Sequence, residues 1–165
     1  MKISCFDFDA TLVFTPSAEE GKIKWYEKTG KPWPHNGWWG QPDSLNIDVF
    51  NIPLNQWVYE KYLEERKLCD YVFLATGRIT KLQKQVLDII KSHNIEFDDV
   101  YCNPNIDTID FKRSLFDDIL KKNPKVEEFT MYDDREEHFS RFIEWAKQKD
   151  IKVNIIDVIN KIQIF

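Results

Sequence analysis

No stretch of the 165 residues is long and apolar enough to cross a bilayer. The amino terminus, Met-Lys-Ile-Ser-Cys, runs straight into an apolar segment and lacks the basic-then-apolar pattern of a secretory leader. Cysteine is scarce. Cys5, Cys69 and Cys102 are odd in number and widely spaced, which argues against a disulfide framework and against a zinc site. Cys5 falls in a predicted buried strand, where a thiol behaves as a small hydrophobe. A reducing, cytoplasmic compartment is therefore the expectation. Positive charge is also in deficit: 23 Lys and Arg face 28 Asp and Glu, for a net charge of −5. That balance gives no general attraction to nucleic acid or to anionic membranes, although it leaves room for a local basic patch. Internal repeats and flexible linkers are missing as well. At 42% hydrophobic and 15% aromatic residues, the composition excludes a disordered chain, and the length fits one domain with a real core.

Strand-like and helix-like segments alternate along most of the sequence. Residues 2–8 read as a buried strand. Leu54, Val58, Tyr62 and Leu63 mark a helix over 54–66. Asp70 to Ala75 is a second strand, which Thr76-Gly77-Arg78 is expected to end. Ile79, Leu82, Val86 and Ile89 give a helix, Phe97 to Cys102 a short strand, and Phe111 to Leu120 another helix. Phe129 to Tyr132 is a fourth strand ending at Asp133-Asp134. A helix over Phe139 to Ala146 and a strand over Ile151 to Ile156 follow, with an apolar tail from Val158 to Phe165. Such alternation implies an α/β fold, a parallel sheet with helices on both faces. Ligand sites in these sheets lie beyond the carboxyl ends of the strands. Three polar clusters fall there: Asp7/Asp9, Thr76/Arg78 and Asp133/Asp134.

Asp7-Phe8-Asp9-Ala10-Thr11 closes the first strand. Side chains two apart in a strand share a face, but a turn just past its end separates the carboxylates. One is then free to attack while the other exchanges protons, the division of labour in phosphoryl transfer through an aspartyl-phosphate. For Asp133-Asp134-Arg135-Glu136 a plainer role also stands, favourable charge at the start of the next helix. Arg135 is expected to pair with the acidic edge and His138 to be structural, while His35 and His93 carry no signal.

Motif one, Asp7-Phe8-Asp9-Ala10-Thr11-Leu12, Thr76 in Leu74-Ala75-Thr76-Gly77-Arg78, Lys112 in Thr108-Ile109-Asp110-Phe111-Lys112, and the acidic pair Asp133-Asp134 come in the order of the four motifs of the haloacid dehalogenase (HAD) superfamily of aspartate-nucleophile phosphatases. The whole chain resembles that superfamily. Gly37-Trp38-Trp39, Thr-Gly-Arg, Thr-x-x-Phe-Lys and Tyr-Asp-Asp-Arg-Glu-Glu-His resemble, more narrowly, its Swiss Army Knife RNA repair-like group, which has been proposed to process nucleic-acid end phosphates. The resemblance implies a three-layer α/β/α sandwich over residues 1–165, with minimal or no cap. Ala10 departs from the Gly or bulkier residue of many members but leaves both carboxylates and Thr11 in place.

The same resemblance implies the roles. Asp7 is the nucleophile. Asp9 protonates the leaving oxygen and then activates water, a task eased by a pKa raised toward neutrality. Thr76, Arg78 and Lys112 bind the phosphate. Asp7, the Asp9 carbonyl and Asp133 or Asp134, with Asp134 preferred, hold one Mg²⁺. Lys112 rests on the family pattern alone.

Residues 14–53 break the alternation and are rich in Trp, Pro and Gly. So long an excursion is usually functional, and it is expected to lie over the active-site edge as a small lid or flap, with a short helix near Glu19–Lys28. No cap fits between residues 79 and 111. An open site suits a large substrate, a nucleic-acid end or nucleotide, with a phosphoprotein or a phosphoryl acceptor other than water as alternatives and a silent binding domain less favoured. Trp25, Trp33, Trp38 and Trp39 lie among Lys22, Lys24, Lys28 and Lys31. Most of these rings are expected to pack the insertion onto the core, with one or two facing substrate.

Overall fold

Apolar residues alternate across the strands, and this alternation builds two cores, one on each face of a sheet. A computed structural model describes residues 1–165. Its elements are β1 (Lys2–Phe6), α1 (Ala18–Thr29), a 3-10 turn (Pro42–Leu45), α2 (Gln56–Leu68), β2 (Tyr71–Ile79), a second 3-10 turn (Thr80–Leu82), α3 (Gln83–Ser92), β3 (Asp99–Asn103), α4 (Thr108–Lys122), β4 (Glu128–Asp133), α5 (Glu136–Ala146), β5 (Lys152–Asp157) and β6 (Ile162–Gln163). The six strands form one sheet in the order β3-β2-β1-β4-β5-β6. The first five are parallel and β6 is antiparallel to β5.

Ile3 and Cys5 of β1, Phe73 and Ala75 of β2, and Phe129 and Met131 of β4 face α4 and α5, whose Phe116, Phe142 and Trp145 fill that layer. Phe6, Val72, Leu74 and Tyr132 face the other way, against Val58 and Tyr62 of α2 and Val86 and Ile89 of α3. The result is the α/β/α sandwich expected from the sequence. Each fully buried aromatic or aliphatic side chain contributes about 1.5–3 kcal/mol to it. The Phe6 and Tyr132 rings stack 4.4 Å apart and nearly parallel, which clamps β1 to β4 directly beneath their carboxyl ends. Strand order reverses at this pair, the position at which open parallel sheets form a crevice.

The excursion over residues 14–53 carries α1, capped by the Ser17 hydroxyl, and the first 3-10 turn. Trp38 is buried, and its indole N–H donates to the Pro16 carbonyl at 3.2 Å. Trp33 packs against Trp25 and Trp38, and Trp38 against Phe50. A Cβ at Gly21 would run into the Trp38 ring, so only glycine lets α1 lie this close. Trp25, Trp33 and Trp38 therefore pack the insertion, while Trp39 remains half exposed.

The second strand differs from the sequence expectation. β2 is not ended by Thr76-Gly77-Arg78 but runs through it to Ile79. Its register against β3 slips there: Thr76 pairs with Cys102 and Ile79 with Asn103. Gly77 and Arg78 are thus extra residues on the β2 side, and such irregularities re-aim side chains. The helical rise begins only after the second 3-10 turn, at Gln83.

Candidate active site

Asp7 is the first residue beyond β1. Its N–H donates to the Tyr132 carbonyl at 3.0 Å and carries the β1–β4 pairing one step further, which sets Asp7 beside Asp133. Lys112, in the second turn of α4, reaches both: its Nζ lies 2.9 Å from Asp7 Oδ1 and 2.6 Å from Asp133 Oδ2. All three side chains are buried. Burial opposes the charge on Lys112, but Asp133 and Asp7 outweigh it and hold the ammonium charged, above the ordinary lysine range. Burial pushes the Asp7 carboxyl up to about 8, with Lys112 opposing and Asp133 and Asp134 adding to the rise.

Asp134 stands just past β4 and is partly buried, and its Oδ1 accepts a hydrogen bond from the Thr11 hydroxyl at 3.2 Å. Burial, then Asp133, raises its pKa. Carboxylate oxygens of Asp7, Asp133 and Asp134 lie within 4.8 Å of one another. Asp133 has both oxygens committed, Oδ2 to Lys112 and Oδ1 to the Arg135 N–H at 3.0 Å. Asp134 Oδ2 carries no protein hydrogen bond, and its residue lines the cavity above the site. Once all three carboxyls are deprotonated, one ammonium leaves their negative charge unbalanced. An all-oxygen set of this kind fits a hard divalent cation such as Mg²⁺.

The chain turns away after Asp9. Ala10 has φ 55°, in the left-handed region, which costs a residue with a Cβ about 1 kcal/mol. This turn separates the two acids of motif one. Asp9 is held by three donors on two residues. Arg78 Nε lies 3.1 and 3.0 Å from its two oxygens, Arg78 Nη2 lies 2.7 Å from Oδ1, and the Thr15 hydroxyl donates to Oδ1 at 2.6 Å.

The sequence resemblance assigns Arg78 to the phosphate. In the structure it is 3% exposed and serves Asp9 and the insertion. Its Nη1 donates to the Trp39 carbonyl at 2.9 Å and to Ser44 Oγ at 3.0 Å, and its guanidinium carbon lies 4.7 Å from the centre of the Trp39 ring. Thr76 is wholly buried, and its hydroxyl accepts the Arg78 N–H at 3.0 Å. It does not line the cavity, and Gly77 does. A Cβ at Gly77 would press on the Thr108 side chain at 3.0 Å, so glycine allows β2 and the start of α4 to meet at the cavity wall.

The cavity, about 550 Å³, has Asp7, Asp9 and Asp134 in its lining, with Trp39, Arg78 and Arg135 among its other walls. Arg135 was expected as a partner of the acidic edge. Its N–H does contact Asp133, but its guanidinium is 45% exposed and only 3.5 Å from Glu137. His138 is buried, and burial followed by Arg135 lowers its pKa, which favours the neutral ring. Thr15, Ser44 and the Trp39 carbonyl were not foreseen. Ser44 and Thr15 lie in the insertion, where nothing in the sequence pattern marks them, whereas Thr11 sits inside motif one.

No curated protein matches the chain. Among solved structures, an archaeal beta-phosphoglucomutase from the hyperthermophilic Pyrococcus sp. strain ST 04 superposes with a TM-score of 0.53 at 15% identity. The match covers 93% of this chain and 85% of that one, a likeness of fold. Residues 28–164 match the family described as HAD domain family 1 in Swiss Army Knife RNA repair proteins. With most of its length inside that match, the chain belongs to this family of HAD domains.

Proposed function

We propose that the protein is a Mg²⁺-dependent phosphomonoesterase that works through an aspartyl-phosphate on Asp7. The observation that carries this reading is the convergence of Asp7, Lys112, Asp133 and Asp134 at the switch point of the sheet, with a second acid, Asp9, lining the same cavity.

Lys112 occupies Asp7 Oδ1, while Oδ2 carries no protein hydrogen bond and is the oxygen available to attack phosphorus. As the Asp7 oxygen–phosphorus bond forms, the bond to the leaving oxygen breaks, and Asp9 gives that oxygen its proton. Water then attacks the aspartyl-phosphate, passes a proton to Asp9, and Asp7 leaves as a carboxylate. Lys112 offsets negative charge on Asp7 and Asp133 throughout. Asp7 and Asp134 side chains and the Asp9 carbonyl would hold the cation, since both oxygens of Asp133 already accept a hydrogen bond while Asp134 Oδ2 has none. When bound, Mg²⁺ supplies charge shielding between carboxylate and phosphate. Thr76 would act on phosphate only through its donor hydrogen, and Arg78 only through the one N–H it has left on Nη2.

The substrate this reading favours is a nucleic-acid end or a nucleotide. Two features support it: the family's description as RNA repair proteins and a half-exposed Trp39 in the cavity wall with an exposed Arg135 near it.

The test is Mg²⁺-dependent phosphate release by wild type and Asp7→Asn. Aryl phosphate, nucleoside 3′- and 5′-monophosphates, end-phosphorylated oligonucleotides and a phosphopeptide form the panel. Release by wild type alone, fastest on an oligonucleotide end, is expected. Preference for the peptide would make it a protein phosphatase, and label passing to a sugar rather than water would make it a phosphotransferase.

A further inference from the structure

We propose that Arg78 is the positioning residue for Asp9 and that it ties this acid–base to the insertion. The inference rests on the phosphatase reading and assigns Arg78 a task other than holding substrate phosphate.

The argument begins with how the guanidinium is spent. Of its five N–H groups, Nε and one on Nη2 go to Asp9, and both on Nη1 go to the Trp39 carbonyl and Ser44 Oγ. One N–H remains. Two-pronged capture of a phosphate would require Arg78 to release either Asp9 or the insertion, and Arg78 is 3% exposed. The guanidinium is flat and rigid, so the two N–H groups that meet Asp9 fix the plane of its carboxylate as well as its place. The Trp39 ring at 4.7 Å fixes the guanidinium in turn.

The two oxygens of Asp9 are left unequal. Oδ1 accepts from Nε, Nη2 and Thr15, whereas Oδ2 only shares Nε. Oδ2 is therefore the oxygen with lone-pair capacity to carry the proton that goes to the leaving group and to accept the one that water gives up. A carboxylate free to rotate would present either oxygen at many angles, and proton transfer depends steeply on alignment. The bulge of β2 at Gly77 and Arg78 supplies the aim, because it is there that the register slips.

The anchor on the far side of Arg78 belongs wholly to the insertion, through Trp39 and Ser44. A displacement of that segment would pull on the same guanidinium that orients Asp9. The acid–base group is in this way tied to the insertion twice, directly through Thr15 and, with its plane fixed, through Arg78.

The test uses the full chain with Mg²⁺ and compares wild type, Arg78→Lys, Arg78→Gln and Ser44→Ala in rapid-quench kinetics. One substrate is 4-nitrophenyl phosphate, whose leaving group needs no proton. The other is a nucleoside monophosphate, whose alkoxide does. With the aryl ester, both Arg78 variants should still give a burst of one nitrophenolate per enzyme. The steady rate after the burst should fall by about 10²-fold, because hydrolysis of the aspartyl-phosphate still needs the oriented Asp9. With the nucleotide the burst itself should slow by a similar factor, with KM changed less than about threefold. Ser44→Ala keeps the ion pair and should show the same pattern at a few-fold. It also keeps the test decisive if Arg78 variants fold poorly.

Equal slowing of the burst on both esters, or a large rise in KM with the burst lost, would mean that Arg78 binds phosphate and would overturn the proposal. Normal kinetics in every variant would overturn it too. A wild type that releases no nitrophenolate and forms no aspartyl-phosphate would sink the phosphatase reading first and this inference with it.

Discussion

Lys112 and Asp133 form a buried ion pair, Nζ to Oδ2 2.6 Å, with neither side chain more than 2% exposed. Removing one partner of such a pair strands the other's charge in the interior, which costs about 3–5 kcal/mol. Here Asp7 would be stranded as well. Lys112→Met should therefore unfold at markedly lower urea than wild type when Mg²⁺ is chelated, and added Mg²⁺ should recover part of the loss. A variant as stable as wild type in chelator would mean that the pair contributes nothing net.

Asp7→Asn should lower turnover by a factor on the order of 10⁴ or more, since an amide cannot form the phosphoenzyme. Its circular dichroism should match wild type. Acid-stable incorporation of ³²P by the variant would place the nucleophile elsewhere.

The same substitution should change how stability depends on pH. Unfolded Asp7 loses its proton near pH 4, whereas burial, opposed by Lys112, holds the folded carboxyl at about 8. Between those values the folded state binds more protons, so without metal the stability contributed by Asp7 falls as pH rises through the window. Thermal unfolding in chelator should show wild type losing ground to Asp7→Asn from about pH 5 to 8. Mg²⁺ affinity should climb over the same range as the ligands deprotonate. A parallel pair of pH profiles would refute the shift.

Trp39 is the half-exposed ring of the cavity wall, and one of its faces already meets Arg78. Trp39→Leu keeps the backbone carbonyl that Arg78 uses. It should lower kcat/KM on an end-phosphorylated oligonucleotide by on the order of tenfold, the worth of one base stacked on an aromatic ring. Glycerol phosphate, which has no ring to stack, should lose much less. Equal losses on the two would assign Trp39 to packing.

Gly21→Ala should loosen the insertion, because the new methyl meets the Trp38 ring held between Trp33 and Phe50. Overpacking of this kind costs about 1–3 kcal/mol. Near-ultraviolet dichroism should report the change in the tryptophan cluster, and an unaltered spectrum would mean that α1 shifts freely.

Much of this was legible in the sequence because it depends on local pattern. Apolar runs of the right length marked five strands, and Asp7 and Asp133, at the carboxyl ends of β1 and β4, marked the edge where the acidic cluster lies. Lys112 was readable only through the order of motifs, since a lysine in a helix has no local mark of burial. The roles that depend on three-dimensional aim were not legible. Thr76-Gly77-Arg78 looks like the end of a strand, and only the slipped pairing of β2 and β3 shows that the strand continues and turns Arg78 toward Asp9. Thr15 lies six residues past Asp9 and Ser44 lies 34 before Arg78, both on an excursion whose path no periodicity encodes.

β1 lies in the middle of the sheet, yet it is the first strand to be made. Its partner on one side, β4, begins at Glu128. During synthesis the β4-facing edge of β1 has no native neighbour until most of the polypeptide has emerged, and an unpaired apolar strand is open to wrong partners meanwhile. Asp7 likewise meets Asp133 only at that late stage, so the acidic cluster and the joining of β1 to β4 are one event. Slow, long-range pairing is the kinetic signature to expect, and a chain truncated before residue 128 would leave β1 with one bare edge.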